Sequence, residues 1–85
     1  MSTRILRGKK YRLTYTAMPP DRFGDCDPPH RGRPEIRIDP SLCGPKRAEI
    51  LIHEAIHACL PDISEEAVTE TAVDVTKLLK GEGIL

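Results

Sequence analysis

Residues 53–57 read His-Glu-Ala-Ile-His, and they lie in a stretch with every mark of a helix. Gly44 suits the N-cap, Pro45 fits the first helical position where its missing N–H costs nothing, and Pro61 helps to end the element. Two histidines four apart occupy neighbouring turns of one helix face, within reach of a single ion. Zinc takes imidazole nitrogens at about 2.0–2.1 Å, so the pair closes on one metal without bending the backbone. Glu54 points beside the metal, where a carboxylate takes a proton from metal-bound water. The alternative is a polar patch on an exposed helix side. Ile50-Leu51-Ile52 and Ala55-Ile56 argue against it, because they make the helix apolar almost all round. Polar groups buried there without partners would cost roughly 1–3 kcal/mol each.

Eighty-five residues make one domain. A chain of this size buries little more than about 60% of its unfolded surface, so its core is thin. Aromatic residues are few: Tyr11, Tyr15 and Phe23, with no tryptophan. A zinc ion, one per chain, that clamps two helices would supply part of the missing stability.

The charge balance is zero overall but uneven along the chain. Residues 1–47 carry eleven Lys/Arg against five Asp/Glu, and residues 48–85 carry two against eight, which gives +6 and −6. A basic face for nucleic acid is one reading. The basic residues are dispersed and not interleaved with aromatics, so attraction between two layers of one domain is favoured over it.

Three cysteines, Cys26, Cys43 and Cys59, do not form a secreted disulfide framework. Cys26 and His30 make a loose C-x₃-H that with Cys43 suggests a second zinc site. Reduced thiols are preferred, because no C-x₂-C pair is present. The first residues contain no apolar signal core and no run approaches a membrane span, so the expected compartment is the cytoplasm, without a membrane partner.

Arg4–Arg7 and Tyr11–Thr16 read as two strands around Gly8-Lys9-Lys10. In the second, Tyr11, Leu13 and Tyr15 alternate with polar residues. From Met18 to Pro34 the chain holds five of its eight prolines and reads as an irregular loop that cannot enter a sheet interior. Glu35–Asp39 alternates again, as a third strand stopped by Pro40. The first helix is expected over 45–60 and the second over 64–80. Ser64 caps the second, Glu65 and Glu66 sit at its positive end, Lys77 and Lys80 near its negative end, and Gly81 offers a C-cap. Val68, Ala72, Val75 and Leu79 form its apolar stripe. A connection this short makes the helices antiparallel neighbours.

A catalytic zinc site needs three protein ligands and one open position. Helix two offers Glu65, Glu66, Glu70 and Asp74 for the third. Helical-wheel geometry slightly prefers Glu65, nearest the apolar stripe, and leaves the others open.

His53-Glu-Ala-Ile-His57, followed by Glu66-Ala67-Val68-Thr69-Glu70, resembles the gluzincin zinc metallopeptidases. The resemblance implies Glu66 as third ligand, with Glu70, and less strongly Asp74, holding the far nitrogen of a zinc histidine. Gly24–Pro29, Glu35–Asp39, Leu51–Ala58 and Ser64–Val68 together look like the small metallopeptidases encoded by phages and some bacteria, over roughly residues 24–75. The interval from His57 to Glu66 is far shorter than in the large gluzincins, so the two helices join almost directly.

The expected fold is α+β, a small antiparallel sheet of about three strands packed on a two-helix zinc-binding hairpin. The expected function is zinc-dependent peptide hydrolysis with Glu54 as general base and a peptide or protein substrate. Strand Glu35–Asp39 would pair with an extended substrate if it lies at the sheet edge. Arg37, Tyr11 and Tyr15 are the available groups to polarise a carbonyl. The competing expectation is a zinc-stabilised interaction module without hydrolytic activity.

Overall fold

A computed structural model describes residues 2–85. The elements are β1 (Ser2–Leu6), β2 (Lys9–Tyr15), β3 (Gly24–Cys26), β4 (Glu35–Ile38), α1 (Gly44–Cys59) and α2 (Glu65–Gly81). The class is α+β, as the sequence implies.

β1 and β2 form an antiparallel hairpin with Leu6 opposite Lys9. The loop is therefore the two residues Arg7-Gly8, one step earlier than the glycine-lysine reading. Both have positive φ, 49° and 78°, which is the type I′ geometry that matches the twist of the flanking strands. Glycine takes this conformation freely, and Arg7 carries the strain.

The sheet corrects the expectation in two ways. It has four strands in the order β1-β2-β4-β3, and it is mixed, because β4 runs parallel to β2 with Leu13 opposite Ile36. The proline-rich segment is the reason. It spans the crossover from β2 to β4, and it contributes the short strand β3 antiparallel to β4. β3 sits at the sheet edge, where proline-flanked segments belong. Glu35–Ile38 is thus an interior strand, not an edge.

Gly24 is required by close packing. A Cβ there would lie 2.9 Å from the backbone oxygen of Arg37 and 3.0 Å from Ile50 Cγ2. Its absence lets β3 lie directly between β4 and α1.

Tyr11, Ile36, Ile38 and Ala58 are the buried centre, with Leu13, Cys26, Leu42, Ile50 and Leu51 packed around them. α1 lies across β3 and β4 and touches β1, whereas α2 packs on α1 alone. Val68 and Ala72, with 0% and 1% exposure, bring the apolar stripe of α2 onto α1.

The helix ends follow local chemistry with small shifts. Cys43, rather than Gly44, is the N-cap of α1, without a side-chain cap. The Ser64 hydroxyl accepts a hydrogen bond from the Ala67 N–H at 3.2 Å, as an N-cap serine should. At the other end of α2 the terminating glycine is Gly83, with φ 76°, not Gly81. The Ile84 N–H donates to the Leu79 carbonyl and the Gly83 N–H to that of Lys80, the paired bonds of a Schellman motif. No helix among the described residues is long and apolar enough to cross a membrane.

Candidate metal centre

α1 presents His53 and His57 on one face, with ring centroids 4.9 Å apart and planes at 65°. The turn through Pro61 and Asp62 returns the chain so that the first residue of α2 faces them. Nε2 of His53 lies 2.8 Å from Glu65 Oε1, and Nε2 of His57 lies 2.8 Å from Glu65 Oε2. Both imidazoles are largely buried, while the Glu65 side chain stays 67% exposed. Among the described residues, these three form the one group whose possible ligand atoms all lie within 4.8 Å of one another.

The donor set fits a small divalent cation. Two imidazole nitrogens and a carboxylate are the His₂Glu set of catalytic zinc sites. Tetrahedral bonds of about 2.0–2.2 Å place donors roughly 3.3–3.6 Å apart. The imidazole–carboxylate distances need only a small outward adjustment, and Glu65 is exposed enough to make it.

The sequence resemblance pointed to Glu66, and the structure brings Glu65 instead. Ser64 fixes the first turn of α2, and a step of about 100° around the helix carries Glu66 away from the histidines. Glu66 and Glu70 are both exposed and neither meets the histidine pair. The helical-wheel preference for Glu65 agrees with this placement.

Glu54 occupies the same cleft, of about 750 Å³. It is only 6% exposed. Burial first, then the charges of Asp25 and Glu65, push its carboxyl up to about 7. A base poised near neutrality suits proton transfer at neutral pH. A divalent ion beside it would draw that value down again.

The opposite wall is β3 and the turn after it, including Asp25, Asp27 and His30. One guanidinium organises this wall. Arg37 donates from Nε to Asp25 and from Nη2 to Asp27, both at 2.6 Å, and from Nη1 to Glu35 at 2.8 Å. Asp27 also accepts from the Glu35 backbone N–H, and Thr14 donates to the other Glu35 oxygen at 2.7 Å. The Arg37 hydrogen bond is the main cause that holds the Asp27 carboxyl below its usual range. For Glu35 the Thr14 hydrogen bond comes first and Arg37 second. Sequence reasoning did not find this network. Its trace is Glu35-x-Arg37 on one face of β4, with Asp25 in β3 and Asp27 just beyond its end.

Arg37 is consequently committed to three carboxylates. Tyr11 is buried, with its hydroxyl donating to the Ala58 carbonyl at 3.3 Å. The Tyr15 hydroxyl accepts from Arg47 at 2.6 Å. None of these three expected carbonyl-polarising groups lines the cleft; apart from the histidine pair, the side-chain N–H groups that do are those of Arg22 and His30.

Among the described residues, no second metal group forms from the cysteines. Cys43 is exposed and all three are free thiols. Burial first, then the charges of Glu54, Asp27 and Asp25, push the Cys26 thiol up to about 12.

Comparison of the chain with family models, curated proteins and solved structures yields no match. The chemistry of the site carries the functional argument by itself.

Proposed function

We propose that this chain is a minimal zinc-dependent metallopeptidase of gluzincin type, with His53, His57 and Glu65 as the zinc ligands. The observation that carries the reading is the convergence of both imidazole Nε2 atoms on one carboxylate, beside a buried Glu54 that opens on the same cleft. Zinc held by His53, His57 and Glu65 would supply a Lewis acid and a water whose pKa falls towards about 7. Glu54 would serve as the base that takes up a proton in the cleft and returns it to the departing amine. His53 and His57, carried one turn apart on a single helix, keep their spacing without help from loops. β3 forms the cleft wall as an edge strand, so its outer backbone groups offer an extended peptide a place to pair. His30 is an N–H donor on the cleft wall for the scissile carbonyl, and Arg22 is a second one once it leaves its half-exposed ion pair with Asp25 at 3.6 Å.

The test combines metal analysis and hydrolysis. Protein purified without chelator should hold about one Zn²⁺ per chain and cleave members of a quenched-fluorescence peptide library. Glu54→Gln should retain the zinc and lose cleavage. Equal cleavage by Glu54→Gln and wild type would eliminate the mechanism.

A second reading, the zinc-stabilised interaction module, draws on one feature. α2 touches only α1, so an ion held by His53, His57 and Glu65 would staple the two helices. Bound zinc with no cleavage of any library member would favour it.

A further inference from the structure

The sheet is wide enough for two helices and carries one. Strands stand about 4.8 Å apart and packed helices about 8–10 Å apart, so four strands accommodate a pair side by side. α1 takes the β3–β4 side, and α2 makes no contact with any strand. Beside α1, over β1 and β2, lies a groove of about 520 Å³. Its apolar side-chain lining includes Leu6 and Leu13 from the hairpin and Leu51, Ile52 and Ala55 from α1. Leu13, Leu51, Ile52 and Ala55 are only half-buried. This explains why a helix apolar almost all round buries only Glu54 and Ala58.

The charge of the groove is equally one-sided. Its charged residues are Arg4 and Arg47. Arg4 hydrogen-bonds its neighbour's carbonyl, and Arg47 stacks over Tyr15 with its ring centroid 4.7 Å away. Neither meets a carboxylate among the described residues. An apolar floor flanked by uncompensated guanidinium groups complements a helix with an apolar stripe and acidic edges. A second copy of this chain has no such helix to spare, because the apolar stripe of α2 is buried on its own α1.

We propose that this groove docks an acidic amphipathic helix of another protein, lying parallel to the sheet beside α1. The site is on the α1 face away from the metal cleft, so it stands independently of the peptidase reading.

Two synthetic 18-residue helical peptides test it, one with a leucine stripe edged by glutamate and one with the same stripe edged by lysine. Each is titrated into ¹⁵N-labelled protein at low salt. The acidic peptide should shift the amides of Ile5, Leu13, Leu51 and Ile52 saturably, and bind at least about tenfold tighter than the basic one. Arg4→Glu/Arg47→Glu should reverse that preference. Ile52→Glu, on the half-buried helix wall of the groove and outside the core cluster, should weaken acidic-peptide binding several-fold with an otherwise unchanged spectrum. The proposal is overturned if neither peptide produces saturable shifts, if both bind equally, if the shifts map elsewhere, or if these amides respond only to self-association of the chain.

Discussion

Glu65 and Glu66 are chemically identical neighbours, yet only one of them faces the histidines. The difference is a rotation of about 100° around α2, set by where Ser64 starts the helix. Glu65→Ala should therefore weaken zinc binding by more than about 100-fold, beyond the 10–100-fold typical of residues that merely support a ligand. Glu66→Ala should lose only its favourable place near the helix N-terminus, roughly 0.3–1 kcal/mol of stability, and Glu70→Ala should leave affinity nearly unchanged. Zinc titrations of the three variants decide the assignment, and the largest loss at Glu66 or Glu70 would move the ligand there. His53, Glu54 and His57 were readable without a structure, because a four-residue helical spacing is a local property. Which carboxylate meets the histidines depends on how one helix crosses another, so the helical wheel leans to Glu65 without settling it.

Among the elements, β3 depends most on a single residue elsewhere. Arg37 ties Asp25, Asp27 and Glu35 together across β3 and β4. Arg37→Met would leave three carboxylates facing one another. The site is partly exposed, so the cost lies between surface and buried ion pairs, about 1–3 kcal/mol in thermal or urea unfolding at neutral pH. The pH dependence has a definite sign. Asp27 and Glu35 titrate lower in the folded chain than in the unfolded one. Their contribution is fully present above the unfolded values of about 4 and disappears as pH falls through the folded ones. Wild type should thus lose stability steeply below about pH 4, and Arg37→Met should show a shallower acid limb. Equal slopes would show that the network is not what acid breaks. At the neighbouring element, Ser64→Ala should cost about 1 kcal/mol as a lost N-cap. It should also weaken zinc binding, since Glu65 depends on that first turn; unaltered affinity would separate cap from site.

The whole molecule has a small core, centred on Tyr11, Ile36 and Ile38 of the sheet and Ala58 of α1, and α2 is attached through α1 alone. If the proposed zinc bridges the helices, it should matter accordingly. At a free zinc concentration 100 times Kd, ligand linkage adds about 2.7 kcal/mol. For a domain of this size that corresponds to a melting-temperature rise of roughly 10–20 °C, reversed by chelator. Calorimetric scans with and without zinc provide the check, and superimposable curves would refute a bridging ion. The sequence by itself determined the α+β class, both helices to within about one residue, the hairpin, and the histidine pair. Each of these rests on short-range periodicity, capping or turn chemistry, which act over a few residues. Only the tertiary structure decided that β4 runs parallel to β2, that the proline-rich segment supplies the edge strand, that Arg37 is consumed by three carboxylates, and that Glu65 meets the histidines. Those outcomes depend on which distant segments share space, and the side chains alone do not carry that information along the chain.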